Sequence, residues 1–285
     1  MEIIQATAAP GEFSKIEKAV ELMEGLETLP AVAQRLLSLT ADPNASFQDI
    51  EQLISADAAL TSRVLQMAAS PLYGGQAAKN LQAALVRLGL REVRNLALAA
   101  SVSAKKADDF NRGLWRHSLG CAVLAETLGN RLGKSRFQEP FVCALLHELG
   151  TLVLVNINGP VYETLVGTIG GAVQAVREQQ LLGFTHCDIG ALAAERWRLF
   201  DGLPQAIQFH HEPLAAEVLD FPDPVLATIR LVALTAAVLS DPDAGAQSDM
   251  AGQMLERLGT DPAVLQEERE RAQPRIDEYS QMIGA

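Results

Sequence analysis

From Ser14 onward, apolar residues recur at intervals of three and four, and runs that alternate polar and β-branched residues are almost absent. The first spacing places apolar side chains along one face of an α-helix, whereas strict alternation would place them on one face of a strand. A chain with this pattern buries its apolar side chains by packing helices against one another. We therefore predict an all-α fold.

Capping residues indicate where several of these helices begin. A side-chain oxygen just before a helix can accept hydrogen bonds from the first backbone N–H groups, which have no partner within the helix. Ser46 followed by Asp49 has the spacing of such a capping pair. The other candidates are Asp57, Asn80 and Thr185, the last again with an acid, Asp188, three residues later. These signals predict short helices joined by tight loops.

A polar segment, "SVSAKKADDFNRG", interrupts the helical pattern and suggests two lobes. We predict a two-lobed helical bundle with a helical tail. The predicted parts are an N-terminal helical lobe over 14–100, a polar hinge over 101–113, a second helical lobe over 114–240, and a C-terminal helical tail over 244–285 that packs on or beside the second lobe.

Charge and hydropathy exclude several classes of partner. Among 285 residues, 35 Asp and Glu against 23 Lys and Arg give a formal net charge of −12. Binding to a phosphate backbone relies on Lys and Arg that displace counterions, so we expect no nucleic-acid partner. No uninterrupted apolar run reaches the ~18 residues of a membrane helix, and the best candidate, 225–239, contains Arg230. The N-terminus lacks the pattern of a secretory signal, so we expect no membrane contact and a cytoplasmic location.

Three cysteines, Cys121, Cys143 and Cys187, are too few and too scattered for a disulfide framework. None belongs to a CxxC pair of the kind that holds zinc or performs redox chemistry. We predict that they are buried free thiols.

All the histidines fall in the predicted second lobe. They are His117, His147, His186, His210 and His211. His117 shares a helical stripe with Cys121, Leu124 and Leu128, which directs it toward the core. One such histidine is ordinarily a core side chain whose ring N–H finds a carbonyl, but five in one lobe suggest a common site.

The stretch "ALLHELG", residues 144–150, places His147 and Glu148 side by side in a run typical of a buried helix, which we expect to end at Gly150. A buried carboxylate must pair, bind a cation or become protonated, because isolating its charge costs several kcal/mol. Neighbouring imidazoles, or a metal bound by them, would supply the compensation.

Several stretches together resemble the HDOD family, the HD-related output domains of bacterial signalling proteins. They are "LETLPAVAQRLLSLTADPNASFQDIEQLISADAALTSRVLQMAASPLYG", "LQAALVRLGLREVRNLAL", "LWRHSLG", "LLHELG" and "FHHEP". The resemblance covers roughly 24–239 and implies an all-α signalling module. The order of the histidines also resembles the wider HD superfamily of metal-dependent phosphohydrolases, in which a His, a His-Asp pair and a distant Asp bind divalent metal.

The chain departs from the HD pattern at two positions. Glu148 replaces the paired Asp, and Ala236, next to Thr235, stands where the last metal-binding Asp is expected. The segment "HHEP" also lacks the GYP run of related cyclic-di-GMP phosphodiesterases. A two-metal centre is therefore expected to be incomplete.

Three functions are compatible with these residues. The resemblance and the missing Asp favour a non-catalytic output or regulatory module that acts through protein–protein contacts with other signalling proteins. The alternative is a metal-dependent phosphohydrolase with a reduced ligand set for Fe, Mn or Zn. Its candidate ligands are His117, His147, Glu148, His186, His210 and His211. In the third reading, the histidines form only a hydrogen-bonded polar core.

Overall fold

The computed structural model describes residues 31–41, 46–103, 109–166, 171–197, 199–240 and 248–283. Within these ranges the protein is all-α and contains no strand, as predicted. By their contacts, the described residues form two compact units, one of 31–103 with 273–283 and the other of 109–272.

The N-terminal unit begins with five helices. They are α1 (Ala31–Ala41), α2 (Phe47–Ser55), α3 (Ala58–Ala69), α4 (Leu81–Leu88) and α5 (Leu90–Ser103). The predicted caps are confirmed here: Ser46 and Asp49 form a reciprocal capping box on α2, Asp57 accepts from two N–H groups of α3, and Asn80 accepts from the N–H of Ala83 in α4.

The second unit carries all the histidines. Its helices are α6 (Asp109–Gly133), α7 (Pro140–Leu146), α8 (Leu149–Val166), α9 (Gly171–Leu182), α10 (His186–Arg196), α11 (Leu203–Phe209), α12 (Asp223–Ser240) and α13 (Asp249–Leu258). The capping box of Thr185 and Asp188 on α10 is confirmed. Of the predicted hinge 101–113, residues 101–103 and 109–113 are helical, and 104–108 lie outside the described residues.

The prediction that Gly150 ends a helix is wrong. Helix α7 ends at Leu146 and α8 begins at Leu149, so Gly150 lies in the first turn of α8. A Cβ on Gly150 would lie 1.8 Å from the carbonyl oxygen of His186, and one on Gly190 would lie 2.8 Å from the backbone nitrogen of Gly150. The two glycines therefore permit α8 and α10 to cross at backbone contact, which brings the start of α10 next to the start of α8.

Among the described residues, two apolar stretches meet the length and composition of a membrane helix, Pro140–Ile157 and Asp223–Ser240. They are 78% and 61% buried within the fold, respectively. The first contains α7 and the start of α8, and the second is α12, which packs against α6, α7, α11 and α13. Both stretches therefore serve as core helices of the second unit.

The C-terminal residues are shared between the two units. Helix α13 packs against α12, and the last helix, α14 (Pro262–Ile283), groups with the second unit only up to Ala272. From Gln273 onward it groups with the N-terminal unit, where Arg275 and Tyr279 both donate hydrogen bonds to the carboxylate of Glu92. The tail that we expected on or beside the second lobe is thus divided.

Candidate metal centre

The structure brings all six predicted metal ligands together. Five of them lie at helix ends, and His117 lies inside α6. The five are His147 after α7, Glu148 before α8, His186 at the start of α10, and His210 and His211 after α11. The helix break that the sequence did not reveal, between α7 and α8, is what allows two adjacent residues to face the same cluster.

These six residues form the histidine cluster, and short distances connect their side chains. Nε2 of His117 lies 3.2 Å from Nε2 of His147, and Nε2 of His186 lies 3.4 Å from Nε2 of His210. Glu148 lies between the two pairs, with Oε1 4.0 Å from Nε2 of His147 and Oε2 3.7 Å from Nε2 of His186. One carboxylate therefore faces both pairs of imidazoles.

The backbone fixes which ring nitrogen of two histidines carries the proton. Nδ1 of His147 lies 2.7 Å from the carbonyl oxygen of Ala144, and Nδ1 of His210 lies 2.7 Å from that of Ile207. A carbonyl oxygen only accepts hydrogen bonds, so each Nδ1 must carry hydrogen. Each ring thus caps the last turn of its helix, and its Nε2 points a lone pair into the cluster.

A second carboxylate, Glu178 of α9, fixes His186 in the same way. Its Oε2 accepts from the backbone N–H of His186 at 2.6 Å and from Nδ1 at 2.7 Å. Its Oε1 accepts from the hydroxyl of Tyr162 and from Nε2 of Gln174, the latter at 3.1 Å. Carboxylates that orient an imidazole in this way are typical partners of metal-binding histidines.

Sequence reasoning missed Glu178 and Gln174, and the burial pattern of α9 explains why. Val173 and Val176 of this helix are 65% and 54% exposed, whereas Gln174 and Glu178 are buried. An amphipathic helix would show the reverse. The inverted pattern indicates a polar face turned inward, but only the fold shows that this face reaches His186.

Glu148 is the carboxylate inside the cluster. It is buried, and its Oε2 also accepts a hydrogen bond from the hydroxyl of Thr151 at 2.6 Å. Burial raises the pKa of Glu148, but the surrounding imidazoles, His186 first, lower it by more, so the pKa lies well below its usual range. Glu148 therefore stays ionised and supplies the cluster with one negative charge.

Burial keeps most of the imidazoles neutral. It lowers the pKa of His147 to about 4 despite the charge of Glu148. It also lowers the pKa of His117, His210 and His211, and the neighbouring imidazoles lower those of His210 and His211 further. These rings are therefore uncharged at neutral pH, and each keeps one ring N–H and one nitrogen lone pair.

His186 is the exception. Burial lowers its pKa, but Cys187 and the carboxylates Glu148 and Glu178 raise it by more, so the pKa lies well above its usual range. A proton on its Nε2 would be donated to Nε2 of His210, which would otherwise face it lone pair to lone pair. A metal cation could satisfy both nitrogens in place of that proton.

The donor set suits one kind of metal better than another. Converging imidazole nitrogens with one carboxylate are typical of Zn, Fe or other transition metals, whereas Mg and Ca prefer oxygen ligands. On α12 no carboxylate faces the cluster from the position of the HD pattern, because Thr235 donates its hydroxyl to the carbonyl of Val232 and Ala236 has only a methyl group. The residues fit a metal but not the complete ligand set of a two-metal centre.

A family model matches most of the chain. The model of the HDOD domain matches residues 26–213. The chain belongs to the HDOD family. A curated relative, an uncharacterised protein of Treponema pallidum (strain Nichols), is 25% identical over 242 residues. The alignment covers 76% of this chain and 44% of the relative, so the chain spans less than half of that relative's length.

Solved structures of an HDOD domain protein and of two other proteins share the fold. An HDOD domain protein of unknown function from Geobacter sulfurreducens is 23% identical with a TM-score of 0.73, and the match covers 94% of this chain and 98% of the other. A proposed phosphohydrolase from Shewanella amazonensis SB2B is 25% identical with a TM-score of 0.69, covering 93% and 97%. A proposed signal transduction protein from Marinobacter aquaeolei VT8 is 22% identical with a TM-score of 0.68, covering 96% and 65%.

Proposed function

We propose that this HDOD protein is a regulatory signalling module that acts through contacts with other signalling proteins and does not hydrolyse phosphate esters. In this proposal the histidine cluster binds a divalent metal that stabilises the second unit. The family and the likeness to a proposed signal transduction protein support a signalling role.

The non-catalytic part of the proposal rests on the residues that α12 places near the cluster. This helix packs against α6, which carries His117, and a Cβ on Gly120 of α6 would lie 3.1 Å from Cδ1 of Leu239. Yet the position that supplies a metal-binding carboxylate in HD enzymes is Ala236 here. Hydrolysis by paired metals needs such ligands to hold both ions on the attacking and leaving oxygens.

The burial of the cluster supports the same conclusion. His147 and His186 are fully buried, His210 is 1% exposed and Glu148 is 3% exposed, whereas His117 and His211 are partly exposed. A small cation can reach such nitrogens from the side of the partly exposed rings. A phosphodiester with its flanking groups would require the helix ends to separate.

A phosphatase assay tests this proposal. The purified chain, loaded in turn with Mn²⁺, Fe²⁺ and Zn²⁺, is offered nucleotides, cyclic dinucleotides and bis(p-nitrophenyl) phosphate. We expect no metal-dependent turnover above that of His147→Ala, and certainly not the ~10 per second of a typical enzyme. A matched gain-of-function variant, Ala236→Asp combined with Glu148→Asp, restores the carboxylates of the HD pattern and tests whether their absence is the cause.

One observation favours the second candidate, a phosphohydrolase with a reduced ligand set. The Nε2 atoms of three oriented histidines converge on an ionised carboxylate, and the similar Shewanella protein is described as a proposed phosphohydrolase. Metal-dependent turnover by the natural chain that disappears in His147→Ala would establish the phosphohydrolase function and overturn the non-catalytic one.

A binding experiment tests the regulatory role. Signalling proteins should be recovered from the lysate of the host on the immobilised chain.

A further inference from the structure

Two of the three thiols lie against the histidine cluster, although the sequence presented them as scattered. Sγ of Cys187 lies 3.5 Å from Nε2 of His186 and 3.8 Å from Nδ1 of His210. The candidate ligand atoms of His186, Cys187, His210 and His211 all lie within 4.8 Å of one another. This group combines three imidazoles with a thiol and lies on the α10–α11 side of Glu148.

His211 supplies an independent indication that this group binds a ligand. Its Nε2 is buried and has no hydrogen-bond partner among the described residues. Its ring lies 4.0 Å from that of His210 and 5.2 Å from that of His186, measured between centroids. A buried ring nitrogen without a partner costs free energy, so native proteins usually give it a protein group, a water or an ion.

The spacing of the ligand atoms matches a tetrahedral metal site. With Zn–N bonds of about 2.0–2.1 Å and a Zn–S bond of about 2.3 Å, tetrahedral angles separate two nitrogens by about 3.3–3.4 Å and a nitrogen from a sulfur by about 3.5–3.6 Å. The observed separations are 3.4 Å for Nε2 of His186 and His210, and 3.5 Å for Nε2 of His186 and Sγ of Cys187. The remaining ligand atoms lie within 4.8 Å of one another, and metal binding would draw them to the tetrahedral spacing.

We propose that His186, Cys187, His210 and His211 form a site for a thiophilic cation, Zn²⁺ above all, with the Cys187 sulfur as a ligand. Binding releases the thiol proton to solvent and forms the sulfur–metal bond. A thiolate ligand selects against Mg²⁺, Ca²⁺ and Mn²⁺, which prefer oxygen. This inference deepens the proposed metal site but does not depend on whether the protein hydrolyses phosphate esters.

The other two cysteines provide matched controls. Sγ of Cys121 lies 3.6 Å from Nε2 of His117 at the opposite end of the cluster, so Cys121 is the rival candidate that the experiment must exclude. Sγ of Cys143 lies 3.5 Å from the carbonyl oxygen of Gln138, and Cys143 belongs to none of the candidate metal-binding groups in the described residues. All three thiols are buried, so burial alone does not distinguish them.

Titration with Co²⁺, a spectroscopic substitute for Zn²⁺, tests the sulfur ligand directly. We expect a thiolate-to-Co²⁺ charge-transfer band in the near ultraviolet that Cys187→Ser abolishes and that both Cys121→Ser and Cys143→Ser retain. Cys187→Ser should also weaken Zn²⁺ binding by more than the ~100-fold that loss of an outer partner costs at most. Survival of the band in Cys187→Ser, or its loss in Cys121→Ser alone, overturns the proposal.

X-ray absorption of the Zn²⁺-loaded natural chain tests the proposal without any variant. We expect one sulfur scatterer at about 2.3 Å from zinc, together with imidazole scattering. A first shell of nitrogen and oxygen alone overturns the proposal, even where Cys187→Ser fails to fold. A phosphatase activity would overturn the regulatory function while leaving the sulfur ligand intact, so the two failures are distinguishable.

Discussion

The carboxylate of Glu178 determines how His186 presents itself to the cluster. Four donors converge on its two oxygens: the hydroxyl of Tyr162, Nε2 of Gln174, and the backbone and ring N–H groups of His186. A carboxylate can accept all four, because it offers about four lone pairs and no hydrogen. Glu178 thus holds the hydrogen on Nδ1 and leaves Nε2 to face His210.

We predict that Glu178→Gln destabilises the protein and weakens metal binding. The amide replaces one acceptor oxygen by a donor, so at least two of the buried N–H and O–H groups lose their partner at about 1–3 kcal/mol each. The free energy of unfolding in urea should fall by about 2 kcal/mol or more, and Zn²⁺ affinity by about 10- to 100-fold.

At a pH above the raised pKa of His186, where the ring is neutral and carries one hydrogen, a purely structural role would leave its tautomer unchanged. The ¹⁵N chemical shifts of the His186 ring distinguish the two roles, since they report which nitrogen carries hydrogen. Glu267→Gln, an exposed change of the same chemistry on α14, is the matched control and should alter neither stability nor affinity. An unaltered tautomer in Glu178→Gln would contradict the positioning role.

At the scale of helices, the site is built where helices end. The C-terminal ends of α7 and α11 supply His147 and His210, and each ring satisfies a carbonyl of the last helical turn. Glu148 stands at the N-terminal end of α8, where the free N–H groups of the helix favour a negative charge. Helix termini therefore orient the ligands and stabilise the charge in one arrangement.

We predict that Gly150→Ala disrupts this arrangement more than the addition of one methyl group would suggest. The new methyl group would meet the carbonyl oxygen of His186 at 1.8 Å, so α8 and α10 must separate and His186 must move away from Glu148. A backbone contact cannot be relieved by a change of side-chain rotamer. The free energy of unfolding should therefore fall by about 3 kcal/mol, the upper end of the range for overpacked substitutions.

Gly252→Ala is the control for this experiment. Gly252 is exposed within α13, and an added Cβ would meet nothing within 4 Å. Alanine in such a helical position stabilises by about 0.5–1 kcal/mol. Urea unfolding of the two variants should therefore give shifts of opposite sign, and equal shifts would show that the crossing of α8 and α10 tolerates a methyl group.

Local patterns were enough to predict the starts of four helices but not the site's helix break. The caps at Ser46, Asp57 and Asn80 involve residues only two or three positions apart, so the sequence contains the whole interaction. Gly150 could end a helix or permit a close crossing, and only its contact with His186, far along the chain, distinguishes the two. The clustering of the histidines was predictable because five in one lobe are unusual.

The partners of the cluster were harder to predict, because they too depend on contacts between residues far apart in the sequence. Glu178 acts through residues up to 16 positions away, and Cys187 acts through His210, 23 positions away. The sequence predicted that the cysteines are buried free thiols, and burial is confirmed for all three. Their proximity to imidazoles depends on which helix ends meet, which no local pattern specifies.

At the scale of the whole molecule, the chain begins the N-terminal unit, builds the histidine-bearing unit and returns to the first. Glu92 of α5 receives the returning segment: its carboxylate accepts from the hydroxyl of Tyr73 at 2.6 Å, from the guanidinium of Arg275 and from the hydroxyl of Tyr279 at 3.0 Å. Tyr279 is fully buried within the N-terminal unit. The C-terminal residues are therefore part of that unit's core.

Because C-terminal residues belong to the core of the N-terminal unit, we predict that a change near the C-terminus destabilises that unit selectively. Tyr279→Ala removes a fully buried aromatic ring, which costs about 3–5 kcal/mol in a protein core, and a hydrogen bond to Glu92. Hydrogen exchange should rise across α2 to α5, while α7, α8, α10 and α11, which surround the histidine cluster, keep their protection. Tyr279→Phe retains the ring and removes only the hydroxyl, so it should reproduce a small part of the effect, about 1 kcal/mol. If Tyr279→Ala raises exchange equally around the histidine cluster, the two units unfold as one and the selective effect is refuted.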